Sequence, residues 1–275
     1  MRLLVLVLAA VALPAQAQFN FDINRIINSV QNVGKATQEI DQKQEIEIGQ
    51  DMAARLLGAA PLVDNAPLQR YVNNVGRWLA SQSERPDLPW QFGVLDAPQL
   101  NAFAVPGGTI FLTRGLVQSM KSEAELAGVL AHEIVHVVKK HHLKAIQKNA
   151  QASLAGDALT MALNRSGGSE NREKLIGFGT EMYSRGLDKS DELDADRLGV
   201  VIAARGGYDA YGLPAVLQTL QAMNPEDSSL ALMFKTHPAP AERLDALSEK
   251  MQPTLDAHSG QAQLAERFRS FLGSR

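Results

Sequence analysis

The chain has 275 residues, 45% of them hydrophobic and 21% charged, with a formal net charge of −3. That suffices for one sizeable folded domain with its own core, and it excludes the basic surface of a nucleic-acid binder. Cysteine is absent, so no disulfide framework is available and any metal has to be held by His, Asp or Glu.

In chain order, the first segment is "MRLLVLVLAAVALPAQAQ": one arginine, an apolar run from Leu3 to Leu13, then the A-x-A site Ala15 to Ala17. It reads as a signal peptide over residues 1–17, with the mature start near Gln18 and too short an apolar run to span a bilayer. The residue after the cleavage site is not cysteine, so no lipid anchor is expected there. No later stretch reaches the roughly 18 apolar residues of a span; the nearest, Ala152 to Leu163, contains Asp157. The expected location is the bacterial periplasm, with no transmembrane segment in the mature chain.

Residues 18–38 are weakly patterned and read as an N-terminal arm, 39–253 as the main domain and 254–275 as a helical tail. Ile40, Ile46, Ile48, Met52, Leu56 and Leu57 fit one helix face imperfectly. After Pro67, Leu68, Val72, Val75 and Leu79 recur at steps of three and four, as on a buried helix face. "WQFGVLDAPQLNAFAVPGGTIFLTRGL" reads as two or three short strands, the last pair a hairpin through a type II turn at Pro106-Gly107. Ser122-x-x-Glu125 is a capping box, and the helix it starts is expected to run to about Lys148. Asn164 to Arg172 has loop composition. Ser190 is the expected N-cap of the next helix, which Gly206-Gly207 ends. Further helices are expected over about 211–223, 239–251 and 260–271.

The helix after Ser122 carries "VLAHEIVHVVKKHH", with four of the chain's six histidines. His132 and His136, at i and i+4, share a helix face, and Glu133 follows the first. This is the H-E-x-x-H pattern: two imidazoles one turn apart can bind one Zn²⁺, and the glutamate can move a proton from its bound water to a leaving amine. The alternative is a chance pattern on a buried helix, but three ionisable groups among valines and leucines are costly unless paired or metal-bound. Without cysteine the third ligand is sought among acids. "SDELDADRLG" offers Glu192 as ligand and Asp196, one turn on, as hydrogen-bond acceptor for a zinc histidine; alternatively these are solvated acids at a helix start. His141, His142 and His258 read as solvent-facing.

"LNAFAVPGGTIFLTRGLV", "EAELAGVLAHEIVHVVKKHH", "ELDADRLG" and "THPAPAERL" occur in that order over about residues 39 to 250. Together they resemble the HtpX and CAAX prenyl protease family of zinc metallopeptidases, most nearly its soluble periplasmic BepA-like and LoiP-like branch. The resemblance implies an α+β, mainly α fold: a gluzincin-type minimal metallopeptidase domain with a small β-sheet beside the active-site helix. It implies one Zn²⁺ per chain on His132, His136 and Glu192, with Glu133 as general base and acid. It departs from the pattern in two ways. No spanning helix like those of the integral members is expected after the signal segment, and the 38 residues given after His237 are too few for the helical-repeat domain of BepA-like members.

Asn101, Ala102, Phe103 and Ala104 are candidates for a strand edge that pairs with an extended substrate, or are simply part of a structural hairpin. His237, held extended by Pro238, is an oxyanion donor, a fourth ligand that silences the zinc, or a plain loop residue. Arg243 reaches the oxyanion or pairs locally with Glu242 or Asp245. The expected function is a metalloendopeptidase; the resemblance alone implies its role, cleaving unfolded or misassembled exported proteins at the periphery of the outer membrane, in contact with outer-membrane assembly machinery. The alternatives are a latent peptidase fold serving as a chaperone or assembly factor, and hydrolysis of a different amide such as a cell-wall peptide.

Overall fold

The computed structural model describes residues 40–153, 187–224 and 226–272. The signal segment, the arm, most of the apolar stretch 152–163 and the loop 164–172 lie outside the described residues. Helix α1, Gln42–Ala59, starts at Asp41, whose carboxylate accepts from the Gln44 backbone while the Gln44 side chain accepts from the Asp41 backbone. Helix α2, Ala66–Ala80, buries Leu68, Val72, Val75 and Leu79, the residues whose spacing announced it.

Strands β1, Gln91–Leu95, β2, Ala102–Val105, and β3, Thr109–Thr113, form one sheet in the order β1-β3-β2. β2 and β3 are an antiparallel hairpin with Ala102 opposite Leu112 and Val105 opposite Thr109; β1 runs parallel to β3. The turn is as expected for Pro-Gly, with Gly107 at φ 81°. Successive strand residues point to opposite faces, and both faces are covered. Ala102, Ala104, Ile110 and Leu112 join the main core, while Phe103, Val105 and Phe111 join a second core with Met52 and Leu56 of α1.

After the short helix α3, Arg114–Ser119, comes α4, Glu123–Val138, of which every residue but the last is buried. A helix apolar all round belongs inside, and α4 is packed by α2, by α6, Lys189–Arg205, and by α7, Gly212–Gln221. Ser122 caps it by accepting from the Glu125 backbone. The expected capping box is only half formed, because Glu125 accepts from the Lys121 backbone N–H at 2.8 Å instead.

α4 also ends earlier than expected. Lys139 caps it, Lys140 adopts φ 57°, and a new helix, α5, His141–Ser153, restarts immediately. Helix α6 begins at Lys189 with Asp188 as cap, two residues before the expected Ser190, and ends at Gly206 with Gly207 at φ 88°. A short turn of helix, α8, Met233–Thr236, leads to α9, Pro240–Ala257, and α10, Ala265–Leu272, closes the described chain. Phe268 of α10 is fully buried in the main core. No helix among the described residues is long and apolar enough to cross a membrane.

Candidate metal centre

Two helices build the centre. On α4, His132 and His136 share a face. On α6, Glu192, Asp196 and Gly199 share one too, at i, i+4 and i+7. Gly199 sets how near the helices come: a Cβ there would lie 3.0 Å from the His132 backbone nitrogen. The missing side chain lets α6 close on α4, and Glu192, two turns earlier on the same face, reaches the histidines. The Glu192 carboxylate lies 3.7 Å from His132 Nε2 and 3.5 Å from His136 Nε2, and the two Nε2 atoms are 3.1 Å apart.

His237 joins them from the α8–α9 connection. Its backbone is extended, as Pro238 demands, and its Nδ1 is 2.8 Å from Glu192 Oε2. One donor atom from each of His132, His136, Glu192 and His237 falls within 4.8 Å of all the others, and all four residues are buried. The donor set suits a cation. Nitrogen and carboxylate oxygen are the zinc donors open to a chain without cysteine, and Glu192 Oε1 is buried with no hydrogen-bond partner among the described residues. A buried, unsatisfied carboxylate oxygen is costly in the absence of a ligand.

Asp196 lies one turn beyond Glu192, with Oδ1 2.9 Å from His132 Nδ1. That nitrogen can donate to it, which leaves Nε2 as a lone pair facing the other donors. Arg243, from α9, is buried and grips both oxygens of Asp196. This replaces the alternative of a local pair with Glu242 or Asp245: the partner of Arg243 is 47 positions away, outside any local pattern. Burial alone would raise the Asp196 pKa, but the Arg243 charge overrides it and holds the carboxyl well below its ordinary range.

Glu133 follows His132 on α4. Its Oε2 is buried with no partner among the described residues, and burial pushes its pKa up. It lines a cleft with His132, His237, Arg243, Ala102 and the apolar Val129 and Leu217. Ala102 is the point where β2 meets this cleft; Asn101, Phe103 and Ala104 are buried beside it in the strand and its approach.

Two expectations about histidine are corrected. His141 and His142 are not solvated but are 4% and 3% exposed. The break at Lys140 folds them back, and His141 Nδ1 comes within 3.1 Å of His136 Nδ1. Neither lysine at the break is a residue that usually marks a left-handed turn, so the adjacent histidines read as the continuation of an exposed helix end. His258 is exposed, as expected.

Residues 66–251 match Peptidase family M48. The chain is 31% identical over 283 residues to a putative beta-barrel assembly-enhancing protease of Vibrio cholerae, covering 97% of this chain and 57% of that protein. It is 30% identical over 208 residues to the beta-barrel assembly-enhancing protease of Escherichia coli, covering 73% and 42%. With the Escherichia coli metalloprotease LoiP it shares 28% over 166 residues, covering 59% and 63%. The chain thus spans about half the length of the assembly-enhancing proteases it matches.

Proposed function

The chain belongs to peptidase family M48, and on that premise we propose that it is a zinc metalloendopeptidase of the bacterial envelope, acting on unfolded or misassembled exported proteins. One observation carries this reading: Glu192 Oε1 is buried without a hydrogen-bond partner among the described residues at the place where three imidazoles converge, and Glu133 Oε2, equally without one, lines the adjoining cleft with His132 and His237. In this reading His132, His136 and Glu192 hold one zinc ion. Bound there, zinc would supply a Lewis acid and a more acidic water.

The protein's own groups do the rest. Asp196, fixed by Arg243, keeps the His132 proton on Nδ1. Glu133 Oε2 accepts a proton from the attacking water and returns it to the leaving nitrogen, and its raised pKa suits an exchange in both directions. A peptide laid along β2 would form main-chain hydrogen bonds with Asn101 to Ala104 and bring its carbonyl to the cleft. One fact supports that placement: Ala102 lines the cleft with Glu133. Turnover that survives Ala102→Pro in a folded protein would sink it.

His237 fits two roles. It lines the cleft with Arg243, where both can face an oxyanion, and it also lies within ligand reach of the metal donors, where it can close the site. His237→Ala separates them: lost activity supports the first, raised activity the second. The names of the relatives, beta-barrel assembly-enhancing protease among them, support a place beside outer-membrane assembly machinery.

The deciding experiment counts zinc per chain in the purified protein and follows cleavage of unfolded casein beside Glu133→Gln. One zinc in both, with cleavage in the wild type alone, is the expected result. One zinc with cleavage in neither favours the chaperone reading. No zinc in a folded, metal-replete protein overturns the metal site.

A further inference from the structure

His132 has Asp196 behind it, but among the described residues no carboxylate contacts His136 Nδ1. Its Nε2 faces His132 and Glu192, and its Nδ1 points the other way, to His141 Nδ1 at 3.1 Å. The opposite nitrogen of His141, Nε2, is 3.6 Å from Asp191 Oδ1. One set of protons fits the whole chain. His136 Nδ1–H donates to His141 Nδ1, and His141 Nε2–H points to the Asp191 carboxylate. His136 Nε2 is then a lone pair directed at the other donors. A neutral His141 ring has the acceptor nitrogen that this arrangement needs.

The backbone is built for that contact. In an unbroken helix the fifth residue on stands about 140° around the axis and about 7.5 Å along it, too far for the two rings to meet. Lys140, at φ 57°, breaks the helix at that point and swings His141 back onto His136. A left-handed conformation is unfavourable for lysine, so something must hold it. Lys140 Nζ lies 3.5 Å from the buried Glu45 carboxylate, which also receives both Arg85 NH groups and the Gly107 backbone N–H. Helix α6 serves the metal site with two adjacent residues: Glu192 faces the donors and Asp191 closes the chain behind His136.

We infer that His141, backed by Asp191, is a positioning residue that fixes the tautomer and orientation of His136 for metal binding. This role presupposes the metal site proposed above. It is testable because asparagine places Oδ1 where histidine has Nδ1, whereas glutamine reaches toward the position of Nε2. Partners behind a metal ligand typically contribute 10- to 100-fold in affinity.

The test is competition for zinc against a chromophoric chelator, using the full chain and the variants His141→Ala, His141→Asn and His141→Gln, with melting of each metal-free protein as the check on folding. His141→Ala and His141→Gln are expected to bind zinc about 10- to 100-fold more weakly, and His141→Asn to recover to within about threefold of wild type. Should His141→Ala fail to fold, the asparagine and glutamine variants decide. Equal zinc affinity in His141→Gln and wild type overturns the role, and so does asparagine binding as weakly as glutamine. A wild-type protein that binds no zinc brings down the metal site itself; tight wild-type binding with indifferent variants brings down only the role of His141.

Discussion

Helix α4 carries one fully buried carboxylate in its first turn and another in its second half, and the two are treated in opposite ways. Glu123, in the first turn, receives the hydroxyls of Tyr71 and Tyr208 at 2.7 Å each and the Arg267 guanidinium across both oxygens. Burial would raise its pKa, but the Arg267 and tyrosine hydrogen bonds outweigh that, and the carboxyl is held below its ordinary value. Glu133, farther along, has a buried oxygen with no partner among the described residues, and burial raises its pKa. A saturated carboxylate joins parts of the fold: Glu123 ties α4 to α2, to Tyr208 after α6, and to α10. An unsaturated one is a group kept ready for something that arrives later.

If that contrast is right, removing each charge has a different consequence. Glu133→Gln should lower kcat/KM on unfolded casein by about 10²- to 10⁴-fold, the usual contribution of a positioned acid–base group. Its melting temperature in the metal-free state should be unchanged or higher, because an unpaired buried charge is lost. A clear drop in stability would mean that Glu133 has a structural partner and the contrast fails.

Glu123→Gln should do the reverse, leaving turnover at 25 °C near wild type while lowering stability by about 1–3 kcal/mol, the cost of weakened hydrogen bonds to a buried charge. The sign with pH follows from the depressed pKa. The stabilisation from the Glu123 charge is fully present above its unfolded value of about 4.5 and is lost as pH falls through the lower folded value. Denaturant unfolding of wild type and variant at several pH values should therefore show their difference shrinking below about pH 4.5. A difference constant from pH 7 to pH 3 would show that the charge contributes nothing beyond shape.

What the sequence revealed tracks how local each cause is. Leu68, Val72, Val75 and Leu79 announced α2, and Pro106-Gly107 announced the hairpin turn, because period and turn chemistry act within a few residues. His132 with His136, and Glu192 with Asp196, were legible for the same reason: each pair is one helical turn apart. What brings the two pairs together, Gly199 against the His132 backbone, is visible only once the helices pack. Nothing local marks Glu123, since Tyr208 and Arg267 lie 85 and 144 positions away. The break at Lys140 carried no glycine or asparagine to signal it, and with the break went the burial of His141 and His142.

That break is the counterpart, at the far end of α4, of the Glu123 cluster, and it offers the smallest and most discriminating test. Glycine adopts a left-handed backbone freely, so Lys140→Gly relieves roughly 1 kcal/mol of strain while giving up the contact with Glu45, which still keeps Arg85. The two effects oppose each other, and stability should stay within about 1 kcal/mol of wild type, with zinc affinity unchanged because His141 keeps its place. Lys140→Val loses the same contact and adds a β-branched side chain at a positive φ, where such residues are outliers. It should be less stable than the glycine variant by about 1–2 kcal/mol, and it should bind zinc more weakly as His141 is drawn away from His136. Urea unfolding of the metal-free proteins and the chelator competition measure the two effects separately. If valine and glycine prove equal in both, the turn is held by α5 and its packing rather than by the backbone preference at residue 140, and the end of α4 is as firmly tied as its beginning.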